Sequence, residues 1–348
     1  MVAYAYHNAM ELETEKTWKD VVFVSKDLNC RIKGSSLGIE VQDFESDKVN
    51  MSSLYTGWGE ILVNPQLIVD FYAGKTVTFE MLKEDDISLL SDNCFVMLKD
   101  ETNFSKTALG RVNTRMKEIK PLTYQGDEIW GITALNVEQR YAFDLLLDPS
   151  ISLVTLLGGA GTGKTLLALA AGLLQTMDLN TYKKILIARP IVTLGKDIGF
   201  LPGHVDEKLG VWMQPIFDNL AFIMSRTVEG GTYKETAEKM KYFTDSGLIE
   251  MQAVTYIRGR SIPDQYIIID EAQNLTPHEV KTIISRVGRN SKIILTGDPY
   301  QIDNPYLDAE SNGLAYVVER FKGQELFGHV ALMKSERSPL ASLAADLL

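Results

Sequence analysis

Residues 152–157, SLVTLL, run without a charge into GGAGTGKT and then into LLALAAGLLQ. An apolar strand, a glycine-dense turn and a Leu/Ala-rich helix in direct succession admit few folds. The strand must be buried on both faces, and the helix must cross back over the sheet to a parallel neighbour. The turn itself, Gly158, Gly159, Ala160, Gly161, Thr162, Gly163, Lys164 and Thr165, matches G-x-x-x-x-G-K-[ST] in the strand, loop, helix setting that the motif requires. Four glycines among eight residues let the backbone turn its N–H groups inward around a phosphate. The helix N-terminus adds the positive end of its dipole. A loop of this kind directs Lys164 to the β- and γ-phosphates and the Thr165 hydroxyl to Mg2+.

Further apolar runs follow from Asn136 onward: KKILIA, LIEMQAV, QYIIID, KIILTGD and HVALM, separated by amphipathic stretches. Strands buried on both faces have this texture, and the helical stretches between them predict an α/β fold with a mostly parallel sheet. The earlier chain differs. VVFVSKD, LNCRIKGSS and LGIEV within residues 18–50 read as one β-α-β crossover, too small to stand alone. EILVN, TVTFEML, NCFVMLK and TALGRV within 51–130 read as short strands of a small β-rich unit.

Composition narrows the function classes. The chain has 348 residues, enough for about two domains. A net charge of −11 argues against coating nucleic acid by bulk electrostatics, although a local basic groove fits inside an acidic total. Two distant cysteines, Cys30 and Cys94, offer neither a disulfide framework nor a zinc ribbon. No apolar run approaches the roughly 18 residues of a membrane span, so no membrane partner and a cytoplasmic location are expected. The histidines lack metal-ligand spacing, and Trp58, Trp130 and Trp212 read as core packing.

Water attack on a phosphate needs an acid for the metal and a group to activate the water. IIIDEAQ at 267–273 supplies Asp270 for magnesium and Glu271 for the water at a strand's carboxyl end; acids favouring a helix start are the plainer reading. KIILTGDPYQID displays Asp298 and Gln301 at the end of another strand, with Gln301 as a γ-phosphate sensor or a member of a simple turn. In LNVEQ at 135–139, Asn136 is a candidate helix cap. Gln139 there is a candidate adenine reader or an exposed helical Gln. Arg258, Arg260 and Arg337 are the candidate transition-state cations, each also readable as a surface arginine.

Taken together, LNVEQ, GGAGTGKT, ARPIVTLGKDIGFLPG, YIRGRSIPDQYIIIDEAQNLTPHE, LTGDPYQID and ERSPLA make residues 130–348 resemble the PhoH family of P-loop ATPases. That resemblance implies a RecA-like core related to superfamily-one helicases. It makes Arg337 the favoured cation, with Arg258 and Arg260 donated by a neighbour in a homo-oligomeric ring, expected to be a hexamer. VVFVSKDLNCRIKGSSLGIEVQDF is similar to the end of a PIN nuclease domain, with Asp27 matching one metal-site acid; the segment carrying the other acids is not in the chain. One carboxylate cannot hold a two-metal site, so nuclease activity is not expected. The resulting division is a PIN-like remnant at 1–50, a small β-rich linker domain at 51–130 and an ATPase domain at 131–348.

By this likeness, ATP hydrolysis with Mg2+ would drive movement on, or unwinding of, single-stranded RNA or DNA. Arg189, Thr193 and Lys196, at the exit of a strand beside the loop strand, are placed for sequence-independent backbone contacts. A ring-shaped switch without unwinding activity and a small-molecule kinase are the alternatives. A kinase needs an acceptor pocket, whereas Asp270, Glu271 and Gln301 suit water.

Overall fold

The computed structural model describes residues 22–25, 28–42, 49–192, 205–227, 233–257 and 259–336, and its contacts divide the chain into two units between Lys48 and Val49. In the first unit, β1 (Val22–Val24) and β2 (Glu40–Gln42) pair in parallel around α1 (Leu28–Ser36), which is the crossover expected from the sequence.

The second unit opens with β3 (Trp58–Val63), α2 (Pro65–Tyr72), β4 (Val77–Thr78), α3 (Glu84–Ser88), β5 (Phe95–Asp100), β6 (Thr107–Asn113) and β7 (Glu118–Pro121). Their sheet has the order β3-β5-β6-β7-β4, with β3 parallel to β5 and the remaining pairs antiparallel. Along β6 every second residue is buried, the pattern of a sheet with one covered face. TVTFEML gives a strand of only two residues, because Phe79–Met81 turn into a 3-10 helix. Helix α2 carries no strong sequence signal, yet Pro65 stands in its first turn and the Asn64 side chain accepts from Gln66 N.

Six strands build the second sheet: β8 (Leu153–Gly158), β9 (Lys184–Arg189), β10 (Ile249–Ala253), β11 (Gln265–Ile269), β12 (Lys292–Gly297) and β13 (Phe327–Leu332). All pairs are parallel, in the order β10-β9-β11-β12-β8-β13. The helices are α4 (Val137–Leu147), α5 (Lys164–Leu173), α6 (Val205–Thr227), α7 (Tyr233–Asp245), α8 (Pro277–Ile284) and α9 (Gly313–Phe321). Strand residues alternate between two cores. Val154, Leu156, Ile187, Ile268 and Ile294 pack with Phe143, Leu167 and Ile216 of α4, α5 and α6. Leu153, Leu157, Ile267, Ile269 and Leu295 pack with Val280 and Val317 of α8 and α9. Helices on both faces of a parallel sheet complete the expected α/β architecture.

The β-rich sheet joins this core along β13. Ala331 N donates to Thr56 O at 2.8 Å and Trp58 Nε1 to Ala331 O at 3.2 Å. Gly57, at φ +82°, approaches so closely that a Cβ would sit 1.9 Å from His329 O, which leaves room only for glycine. Phe95 stacks on Tyr141 of α4 with centroids 4.5 Å apart. Arg111 of β6 bonds Asp148 at 2.8 Å, Asp144 at 3.3 Å and Asn93 at 2.7 Å. His329 is fully enclosed with Nδ1 2.7 Å from Thr155 Oγ1, and burial pushes its pKa down to about 3. No helix among the described residues is long and apolar enough to cross a membrane.

Candidate functional site

Sheet order brings the chemistry together. β8 lies beside β12, and β12 beside β11, so the turns leaving their carboxyl ends are neighbours. Open parallel sheets display ligand sites at this edge. The 158–163 loop leaves β8, Asp270 and Glu271 leave β11, and Asp298 and Gln301 leave β12. Ala160, Lys164, Thr165, Asp270, Glu271 and Gln301 line a single cavity of about 330 Å³.

Within the loop, Gly163 takes φ +91° as it starts α5, a left-handed conformation that favours glycine. Lys164, the first helical residue, folds its Nζ onto Gly158 O at 2.6 Å and Gly159 O at 2.8 Å. The Thr165 hydroxyl donates to Asp270 Oδ1 at 2.8 Å, and the Thr296 hydroxyl donates to the same oxygen at 2.7 Å. Thr165 and Asp270 are hard oxygen donors meeting at one point, the chemistry magnesium prefers. Among the described residues no three His, Cys, Asp or Glu cluster into an all-protein metal site.

Glu271 stands at φ +55°, ψ +38°, a conformation seldom taken by a residue with a side chain. Strain of this kind gathers at functional positions. Two partners set its carboxylate: Arg189 Nη2 at 3.1 Å and Gln273 Nε2 at 2.5 Å. Gln273, quoted in the IIIDEAQ stretch without a role, is the residue sequence reasoning missed. It is wholly buried, donates to Gln301 O at 2.9 Å and accepts from Asp298 N at 3.1 Å. One amide thereby ties the β11 exit to the β12 exit. The IIIDEAQ stretch alone held no sign of it.

Arg189, expected to contact a polynucleotide backbone, lies with its Nε 3.2 Å from Asp270 and its Nη1 donating to Trp212 O at 2.6 Å, its side chain 15% exposed. β9 and β11 are adjacent, so the guanidinium at the end of one strand meets the carboxylates at the end of the other. Opposite charges at this range outcompete solvent.

Asn136 caps α4 as expected, its side chain accepting from Gln139 N. Both ends of the Gln139 amide are in use: Oε1 accepts from Leu135 N at 2.8 Å and Nε2 donates to Thr162 O at 3.1 Å. It also borders a second cavity, about 370 Å³, with Leu135, Leu166, Phe222 and Arg226. Arg260 is half-exposed and bonds Glu250 at 3.0 Å and Gln252 at 3.2 Å. Asp27, Thr193, Lys196, Arg258 and Arg337 lie outside the described residues.

A glycine loop between a buried strand and a helix, set in a parallel sheet beside an acidic pair, defines a P-loop NTPase fold. Residues 131–347 match the family described as PhoH-like protein, and the chain belongs to the PhoH family. It is 50% identical over 349 residues to Protein PhoH2 of Bacillus subtilis (strain 168), covering 100% of this chain and 77% of that protein. Protein PhoH2 of Mycolicibacterium smegmatis is 36% identical over 332 residues, covering 95% of this chain and 70% of that protein. Among solved structures, the Pif1 helicase from Candida albicans overlaps 62% of this chain and 43% of its own, at 18% identity and a TM-score of 0.31. That score is too low to define a fold, and the architecture stands on the strand pairing described above.

Proposed function

We propose that this chain is a magnesium-dependent ATPase that couples hydrolysis to binding, movement on or unwinding of single-stranded RNA or DNA, working in the cytoplasm as a homo-oligomeric ring. The observation that carries the reading is the shared cavity, in which the loop, the Thr165–Asp270 pair, Glu271 and Gln301 face one another. In this mechanism the loop N–H groups hold the β-phosphate, and Lys164 exchanges its two carbonyl partners for phosphate oxygens. Thr165 and Asp270 would hold magnesium, which when bound would supply charge neutralisation at the phosphate oxygens. Glu271, fixed by Arg189 and Gln273, orients water for in-line attack and accepts its proton as the bond from the γ-phosphorus to the bridging oxygen breaks. Gln301 senses the γ-phosphate and Arg337 stabilises the developing charge. Gln139 borders the cavity proposed for the base. Arg258 and Arg260 are the residues proposed to serve a neighbouring subunit, Arg260 by exchanging Glu250 for it.

Thr193 and Lys196 follow β9 and are proposed to track the sugar-phosphate backbone. Arg189, which meets the acidic pair from the end of β9, would pass such a contact on to the water. Phosphate release measured with and without single-stranded RNA, at roughly 50 and 200 mM salt, tests the coupling. Stimulation that fades at the higher salt is expected. A rate indifferent to RNA at both salts would remove the motor and leave a switch.

A further inference from the structure

An anion-binding loop points its N–H groups at the ligand, so its carbonyls point away and need donors of their own. Here nearly all of those donors can be named. Gly158 O and Gly159 O accept from Lys164 Nζ, and Gly159 O also from Thr162 Oγ1 at 2.9 Å. Thr162 O accepts from Gln139 Nε2, and Gly163 O from Leu167 N at 2.9 Å within α5. Ala160 O and Gly161 O are served from far along the chain: Ser335 Oγ reaches Ala160 O at 3.4 Å, and Glu336 N donates to Gly161 O at 3.0 Å.

The segment 333–336, which leaves β13, is itself pinned. Met333 N and Lys334 N both donate to Glu138 Oε2, at 2.7 and 3.1 Å. Asn136 Nδ2 donates to Glu336 Oε1 at 2.9 Å while its oxygen caps α4. The LNVEQ stretch thus grips the loop three times, directly through Gln139 and indirectly through Glu138 and Asn136. Two N–H donors on one carboxylate oxygen are charge-assisted, the stronger class of hydrogen bond.

We propose that Glu138 is a positioning residue for the phosphate loop: it anchors the 333–336 segment, whose donors hold the Ala160 and Gly161 carbonyls outward and so keep the loop N–H groups facing the phosphates. The proposal rests on the reading of the loop as a triphosphate site. It places Glu138 at the tail of the nucleotide rather than at its base, although the motif lies beside the base cavity.

Calorimetric titration of the full chain with ATP and with bare tripolyphosphate separates the alternatives. Glu138→Ala is expected to weaken both ligands by a similar factor, about tenfold. Glu138→Gln, whose amide oxygen still accepts both N–H groups, recovers most of the loss. Should Glu138→Ala fail to fold, Lys334→Pro deletes one of the two donors with Glu138 in place and should weaken both ligands by a smaller common factor. Weakened ATP with unchanged tripolyphosphate would overturn the proposal, since Glu138 would then act on the base. Unchanged binding of both ligands by Glu138→Ala would overturn it as well. Failure of the triphosphate reading looks different, because wild-type protein would then bind neither ligand, and the proposal would fall with it.

Discussion

Gln273→Met keeps the length and apolar volume of the side chain while deleting all its hydrogen bonds. Three are lost: to Glu271 at 2.5 Å, to Gln301 O at 2.9 Å and from Asp298 N at 3.1 Å. Gln273 is wholly buried and Asp298 is 6% exposed, so water does not readily replace these partners. One bond reaches a carboxylate, contributing roughly 1.5–3 kcal/mol, and two are neutral, contributing roughly 0.5–1.5 kcal/mol each. The expected destabilisation is therefore roughly 2.5–6 kcal/mol, read as a shift of the urea midpoint. Catalysis should suffer separately, because among the described residues Glu271 keeps only Arg189 as an orienting partner and the Gln301 turn is no longer tied to it. A fall in kcat of roughly ten- to a hundredfold is expected from a displaced base. Gln273→Glu gives a contrast: it still accepts from Asp298 N but sets a second carboxylate beside Glu271. A Gln273→Met protein with kcat unchanged and a midpoint within about 1 kcal/mol of wild type would show that the two exits are not tied through this amide.

Buried His329 binds no proton until about pH 3, whereas in the unfolded chain it does so from 6.5, so the unfolded state holds more protons between those values. Stability contributed by the neutral form is present above pH 6.5 and is lost as pH falls toward 3; about 2 kcal/mol should vanish from pH 6.5 to 5 in urea melts, and His329→Gln should flatten that slope. Arg111→Met leaves Asp144, with a side chain only 1% exposed, without its cation. Denaturation should report a loss of about 3–5 kcal/mol, and a loss below 1 kcal/mol would mean the bridge to the β-rich sheet is dispensable.

Local pattern carried the parallel core well. SLVTLL, QYIIID and KIILTGD are unbroken apolar runs because both faces of β8, β11 and β12 are covered, and a run of that kind has few other destinations. The loop residues and Asp270 were visible for a similar reason: backbone conformation and ligand chemistry restrict their types within a few positions. Contacts between distant segments left no such mark. Gln273 reads as one polar residue among several, and only the adjacency of β11 and β12 makes it a tie. Arg189 follows a strand end like any outward contact until the sheet order sets it against Asp270 and Glu271. Glu138 shares a helix turn with Asn136, yet its partners are Met333 and Lys334, almost two hundred residues onward. The grip of the β-rich sheet on β13 likewise depends on Gly57 lying against His329, a pairing that periodicity does not encode.

Paired binding and turnover measurements on wild type and Lys164→Ala go most directly to the loop and its acids as the place where a triphosphate is cleaved. Wild-type protein should bind ATP and release phosphate, while Lys164→Ala, with an unchanged far-ultraviolet spectrum and melting midpoint, should release none above background. Undiminished phosphate release by the Lys164→Ala protein would contradict the assignment of the cavity and of everything built on it.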